Sequence, residues 1–574
     1  MKVKTACPLD CWDTCSIIAE VDNGRVTRLD GDPSHPVTQG FLCGKGRKLK
    51  DRLYSPSRVL QPLKKRDGTW QPIAWEQALD EIAEQIAQTV ANSGHQAILH
   101  AYDWGSGTVL KNLNQRFFYQ LGGCTETVGS LCWDAGLEAQ RYDFGEARSH
   151  APQDTAQAQA VVVWGRNVSN TNIHMVPFIK AAQANGARLV LINPLATDLD
   201  NRADLCLTPR PGSDAALAFG ALKVCKDEGW LDTDFLSARS LGFAQLADYI
   251  DQFDLQTVAE LTDVPAEQVV QLAEIYGQLR PVTTLLGIGL QRYPGGGNAI
   301  RAIDALAAAT GQIGIAGGGV NYANRALVPY LDQEALAGRS GADVREFTRG
   351  DQAEQILAAN PPIEVLFVTR TNPVTQVPNT QRLLQAYESI GCKVVIDMFL
   401  TPTAEVADYF LPCTSVLEEE DFVFSTMWQP YVTYITQAVE AQGEAKPDWE
   451  IFQALAERLG LAGFMDRTRE QWLAAALEPL RAHGITLDTL RQEGTVRIPV
   501  SEIPWLDGRF LTPSGKFEFV SYAAEHEGHS GHAVYLASHE TSRARGKTAL
   551  PAHHAAHAGY PYALLTVHPR LSEN

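Results

Sequence analysis

Cys7, Cys11, Cys15 and Cys43 form a C-x3-C-x3-C-x27-C array, with three of the thiols inside the nine residues CPLDCWDTC. Thiolates are soft ligands, and three from one tight loop plus a fourth from a remote loop can clasp an iron–sulfur cube. Structural zinc is usually held by paired C-x2-C knuckles, which this array lacks. Disulfides belong to oxidising compartments. Buried free thiols would leave four of the ten cysteines gathered in 43 residues for no chemical reason. The spacing therefore points to a 4Fe–4S cluster. Pro8 and the glycines of GFLCGKG let the backbone close around sulfur and turn N–H groups toward it. Lys45, two residues beyond the last thiol, is either a surface charge or a cation set between the cluster and a second redox centre.

The elements that would surround such a centre follow an α/β pattern, with short β-branched runs alternating with helical stretches. Ala160–Trp164 and Arg188–Ile192 read as buried strands joined by a crossover helix over Ile173–Asn185. Val365–Thr369 and Lys393–Ile396 repeat the arrangement, with the crossover over Gln381–Ser389. The two units match in detail. Gly165-Arg166-Asn167 precedes Asn193, Thr197 and Asp204; Asn372 precedes Asp397, Thr401 and Asp408. Asn167 and Asn193 are 26 residues apart, Asn372 and Asp397 are 25, and both units then place threonine four residues on and aspartate seven after that. We read two copies of one βαβ module, each with a ligand crevice beyond the carboxyl ends of its strands. Asn193 or Asp397 would there hold a ribose or a base edge.

Phosphate cradles accompany the modules. Gly287 and Gly289 follow the predicted strand Val282–Leu286, and PGGGN opens a helix running to about Ala309 whose free amides suit a pyrophosphate. Arg210-Pro211-Gly212-Ser213-Asp214 supplies a turn, a helix cap and a guanidinium for phosphate.

The whole chain bounds what these pieces serve. Its 574 residues exceed one core, so several domains are expected. A net charge of −19 excludes a nucleic-acid partner. No apolar run approaches the roughly 18 residues of a membrane span, and no secretion signal opens the chain, so a cytoplasmic protein is expected. The acidic run Glu418-Glu419-Glu420-Asp421 reads as a solvated turn. Cys206, Cys225, Cys392 and Cys413 read as core thiols, and the histidine-rich stretches 526–532 and 553–557 as polar loop.

In this order, the cysteine array with Lys45, WEQALDEIAEQIA, GRNVSNTN, INPLATDLDNRADLCLTPRPGSDAAL, GIGLQRYPGGGNAIRAIDALAAATGQIGIAGGGV, TRTNPVTQVPN, DMFLTPTAEVADYFLPCTSVLEEEDF and LTPSGKFEF together resemble the molybdopterin-guanine-dinucleotide oxidoreductases. These form the DMSO reductase superfamily, which includes formate dehydrogenases. The resemblance implies a multi-domain α/β fold: a small N-terminal iron–sulfur domain and two parallel-sheet nucleotide-binding domains. It implies a cluster domain at 1–57, a discontinuous α/β domain from 58–148 and 331–540, another at 149–330, and the start of a C-terminal domain at 541–574. The family's usual pterin-closing C-terminal module is expected to be lacking.

The implied cofactor is molybdenum or tungsten held by the dithiolenes of two pterin guanine dinucleotides, which would account for two crevices. By position in VGSLCWDAGLEA the protein's own metal ligand would be Cys132, a soft thiolate suited to a sulfur-held metal. Cys124 is the neighbouring rival. Where formate dehydrogenases generally place histidine after that ligand, this chain has Trp133, leaving Asp134 or His174 as acid–base candidates. The implied function is a redox reaction of a small substrate at the metal. Electrons would pass through the cluster to an external carrier, a ferredoxin or a small iron–sulfur or flavin subunit. A non-redox hydratase and a metal-free electron-transfer or structural subunit are the alternatives.

Overall fold

The computed structural model describes residues 1–461, 466–538 and 565–567. The chain opens with a three-stranded antiparallel sheet, Lys2–Ala6, Ser16–Asp22 and Arg25–Gly31, followed by the short helices Gly44–Arg47 and Leu49–Leu53. The cysteine loop links the first two strands, closed by the Cys7 amide donating to the Cys15 carbonyl at 2.9 Å.

Two further sheets carry the bulk of the protein. One has five parallel strands in the order Leu205–Leu207, Arg188–Ile192, Ala160–Trp164, Val282–Leu286, Val320–Asn321. The other has eight: Asp343–Thr348, Gly123–Val128, Ile98–Tyr102, Val365–Thr369, Cys392–Asp397 and Tyr409–Pro412 are parallel, and the hairpin Leu63–Arg66 and Thr69–Pro72 adds an antiparallel edge. Both sheets are covered on both faces, which explains why AVVVW is apolar throughout, VLFVT is apolar up to its closing threonine, and both are fully buried. The helix Gly296–Ala309 is buried along nearly its whole length, and its alanines let it lie close to Asp214–Asp227 and Asp134–Phe144.

The predicted strands over 160–164, 188–192, 282–286 and 365–369 coincide with the observed ones; the crossover helices run Met175–Ala184 and Thr380–Glu388. In each sheet the strand order reverses between two central neighbours: Ala160–Trp164 beside Val282–Leu286, and Ile98–Tyr102 beside Val365–Thr369. These are the two places where loops diverge and leave a crevice.

Candidate functional site

The four N-terminal thiols meet around one small cavity, which Lys45, Asn170 and Thr171 also line. None is in a disulfide. Backbone N–H groups aim at sulfur: Gly46 N lies 3.4 Å from Cys43 Sγ and Asp13 N 3.5 Å from Cys11 Sγ. Burial pushes the Cys15 thiol well up, and Asp13 and the other three sulfurs add to the shift. Four ionised thiols cannot share this space unless a cationic centre sits among them, so the donor set suits an iron–sulfur cube. Lys45 is not a surface charge. It is buried, and its ammonium donates to the Asn170 carbonyl at 3.4 Å.

His174 lies in the wall of this cage. Its Nδ1 is 2.8 Å from Asp13 Oδ2 and 3.8 Å from Cys15 Sγ; its Nε2 faces the Phe41 carbonyl at 2.9 Å. Burial opposes its charge, but Asp13 and Phe41 overcome that and raise its pKa. It does not line the large cleft, so the sequence-based alternative of an acid–base role beside Cys132 is corrected.

That cleft, about 1850 Å³, runs across the carboxyl ends of both sheets. It exceeds the ~300–1,000 Å³ of an ordinary small-molecule pocket. Both switch points open into it and are built alike. At the first, the Gly287 amide donates to the Trp164 carbonyl at 2.8 Å, and a Cβ on Gly287 would lie 1.8 Å from the Gly165 carbonyl oxygen. At the second, the Gly105 amide donates to the Arg370 carbonyl at 3.1 Å, and a Cβ on Gly105 would lie 2.3 Å from that oxygen. Gly165 and Arg370 occupy equivalent positions, two before Asn167 and Asn372, and both are left-handed, with φ of 65° and 57°. A non-glycine residue there is held by its surroundings. Arg370 Nε pairs with Asp448 at 3.1 Å on the cleft wall. Gly105 and Arg370 escaped the sequence reading because the repeat was anchored on its asparagines.

Most of the predicted crevice residues line this cleft. Asn167 brings a buried Oδ1 with no partner among the described residues, an acceptor open to a ligand. Gly212 and Gly289 also line it, and Asn193, Thr197, Asn372 and Thr401 do so while bracing their own loops. Arg210 reaches the wall paired with Asp263 at 2.6 Å. Asp214 accepts from Trp164 Nε1 at 2.8 Å, and burial raises it to about 6; Asp397 is likewise raised to about 6 by burial.

Asp204 and Asp408 are not in the cleft. Each stands at the amino end of its sheet, accepting from the first residues of the neighbouring strand: Leu189 N to Asp204 at 2.7 Å, Lys393 N to Asp408 at 2.8 Å. The repeat at these two positions is a strand clasp, because ligand crevices form at the opposite end of parallel strands.

Cys132 lies in the cleft wall just before the helix Asp134–Phe144. Gln291 fixes its loop, with Nε2 donating to the Cys132 carbonyl and Oε1 accepting from Gly136 N at 2.8 Å. Tyr322 Oη donates to the Trp133 carbonyl at 2.9 Å, and its ring fills the space that a Cβ on Gly136 would occupy. Burial raises the Cys132 thiol to about 11, with Asp10, Asp103 and Asp134 adding to the effect and Arg292 opposing it. Asp134 accepts from Ser130 N at 2.7 Å, and burial raises it. Cys124 is buried in its strand, away from the cleft.

Two further expectations change. The acidic run is not a solvated turn: Arg58 holds the buried Glu418 at 2.6 Å, and the buried Asp421 accepts from the Val109 and Leu110 amides at 3.2 Å. Glu419 faces the cleft, raised to about 8 by burial and the nearby Asp448 and Asp421. Cys413 is a cleft thiol beside it and Cys206 is exposed, whereas Cys225 and Cys392 are core. Residues 526–532 gather no metal-ligand set among the described residues, and 553–557 lie outside them.

A family model described as molybdopterin oxidoreductase matches residues 58–458, and one described as the molybdopterin oxidoreductase Fe4S4 domain matches residues 1–55. The chain belongs to the molybdopterin oxidoreductase family. The probable oxidoreductase YyaE of Bacillus subtilis (strain 168) is 42% identical over 574 residues, covering 100% of this chain and 85% of that protein. The assimilatory nitrate reductase catalytic subunit of the same organism is 28% identical, covering 82% and 70%. Among solved structures, acetylene hydratase from Pelobacter acetylenicus superposes with a TM-score of 0.76 at 23% identity over 93% of this chain and 79% of that one. The α/β multi-domain fold expected from the sequence stands. As a family member this is an enzyme whose domains take a molybdenum or tungsten pterin cofactor and a 4Fe–4S cluster. Among the described residues, no helix is long and apolar enough to cross a membrane.

Proposed function

We propose that this enzyme oxidises or reduces a small substrate at a molybdenum or tungsten centre ligated by Cys132 and held by two pterin guanine dinucleotides. Electrons would pass one at a time through the N-terminal cluster between that centre and an external carrier, outward when the substrate is oxidised and inward when it is reduced. The observation that carries this proposal is convergence: two like-built switch points, the Cys132 thiol and the wall of the cysteine cage open into a single cleft. Cys11, Asn170 and Thr171 belong to both cavities, so the cage and the cleft are separated by one layer of residues. When bound, the metal would supply two-electron chemistry beside sulfur.

The chain's own residues would do the rest. Asn167 and the glycine pair at 165 and 287 receive one dinucleotide. Asn372, Asp397 and the Gly105–Arg370 junction receive the other. Lys45 places a buried positive charge between the cluster and the cleft. Asp134, whose pKa burial raises, lines the cleft two residues from Cys132 and is the acid–base candidate there. That same carboxyl favours a second reading, addition of water without electron transfer. Turnover in the absence of any electron acceptor would select it. The domain division at 57, 148, 330 and 540 accords with this assignment, since 58–148 and 331–540 contribute the strands of the eight-stranded sheet.

Elemental and nucleotide analysis of anaerobically purified protein tests the proposal. Iron and sulfide in the ratio of a 4Fe–4S cluster, with molybdenum or tungsten and a guanine-bearing pterin, are expected. Protein that is colourless and free of both metals would refute it.

A further inference from the structure

We propose that the outer face of the N-terminal domain is the docking site for a small acidic one-electron carrier protein. This rests on the cluster assignment above and goes beyond it by naming the surface and the partner's charge. Residues 25–52 hold seven lysines and arginines against three aspartates, in a chain whose net charge is −19. Asp32 is buried and bound by Lys4 at 2.8 Å, so it does not reach this surface. Arg25, Arg28, Arg47, Lys48 and Arg52 are exposed and Lys50 half-buried.

Arg25, Arg28, Arg47, Lys48 and Lys50 share one rigid face, because the helices Gly44–Arg47 and Leu49–Leu53 both pack on the strand Arg25–Gly31, whereas Arg52 turns to the cleft over Phe399. Their charge is partly offset, since Glu20 and Asp22 stand across from Arg28 and Arg25 on the neighbouring strand and Asp51 is exposed beside Lys50. Asp30 alone serves both Arg28, at 2.5 Å, and Arg47, at 2.8 Å. Lys50 donates to the Thr27 carbonyl at 3.2 Å, and Arg25 stacks on Tyr54 at 3.8 Å; neither contact cancels a charge. Lys48 makes no ion pair among the described residues.

The face adjoins the cluster. Cys43 is the N-cap of Gly44–Arg47, whose second residue, Lys45, turns inward to the cage while Arg47 and Lys48 turn out. Five residues of helical rise put Lys48 only ~8 Å along the chain axis from that ligand. An acidic carrier would be repelled by much of this anionic protein and drawn to this face beside the cluster. A basic carrier would be drawn elsewhere. Such steering raises association rates by ~10- to 1,000-fold and fades with salt. The step itself moves one electron between the carrier's iron–sulfur or flavin centre and the cluster: one is oxidised, the other reduced, and no atoms transfer.

Stopped-flow reduction of the holoprotein's cluster by a reduced acidic plant-type ferredoxin, followed in the visible over a range of ionic strength, tests this. The Lys48→Glu/Lys50→Glu double variant should react ~10-fold or more slowly at low salt, with a flattened salt dependence. Lys180→Glu, an exposed cation on Met175–Ala184, should match the wild type, and dithionite should reduce all three proteins to one final spectrum. A dithionite-reducible cluster whose ferredoxin rate ignores the double substitution overturns the docking face alone. A protein without iron overturns the cluster assignment and the docking face together.

Discussion

Gly287→Ala isolates the close approach on which the first crevice depends. Gly287 has φ of −93°, which alanine adopts freely, so backbone strain does not enter. The added methyl would meet the Gly165 carbonyl oxygen at 1.8 Å, its carbon at 2.3 Å and the Arg166 nitrogen at 2.9 Å, all backbone atoms that cannot rotate away. The two strand ends must part by an ångström or more, and the Gly287–Trp164 hydrogen bond of 2.8 Å goes with them. Overpacking of this kind costs ~1–3 kcal/mol and the hydrogen bond ~1, so a loss of ~3 kcal/mol is expected. For a domain of this size that lowers the melting transition by ~6–12 °C. Gly289→Ala is the matched comparison, because its methyl would lie 3.7 Å from the same oxygen, an ordinary contact; it should change stability by less than ~0.5 kcal/mol. Thermal and denaturant unfolding of both variants, with the pterin retained after gel filtration, provide the readout. A Gly287→Ala protein as stable and as well loaded as the wild type would refute the close-approach argument.

Cys132→Ala should abolish turnover while iron content and the cluster's electron paramagnetic resonance signal persist; activity kinetics beside spectroscopy would show it, and full activity would remove the thiol's role. Arg58→Met strands Glu418 in an interior where the pair's side chains are 1% and 0% exposed, so a loss of ~3–5 kcal/mol is expected in denaturant unfolding. Asp304 is buried beside Asp143 and Arg301; burial first, then the Asp143 charge, holds its carboxyl far above the usual range, and burial holds Asp143 at about 7. A raised native pKa stabilises fully below the unfolded value near ~4 and loses that contribution as pH climbs from there through the raised native value. Asp304→Asn should therefore flatten the decline in stability across that window in a pH series of unfolding curves.

The cluster loop was legible in the sequence because metal-binding sulfurs must be close in space, and three of them are close in the chain. The strands at 160–164, 188–192, 282–286 and 365–369 were legible because sheets covered on both faces favour short runs rich in apolar and β-branched residues. The repeat likewise revealed two crevices, but it could not say which end of each strand its members occupy. Asn167 and Asn372 lie beyond the carboxyl ends, whereas Asp204 and Asp408 clasp the amino ends, and only the folded sheets separate the two groups. The burial of Glu418 and Asp421, the inward turn of Lys45 and the pairing of Gly105 with Arg370 all join residues distant in sequence. Local pattern reports what a segment can bury; which charge meets which partner is decided when the elements pack.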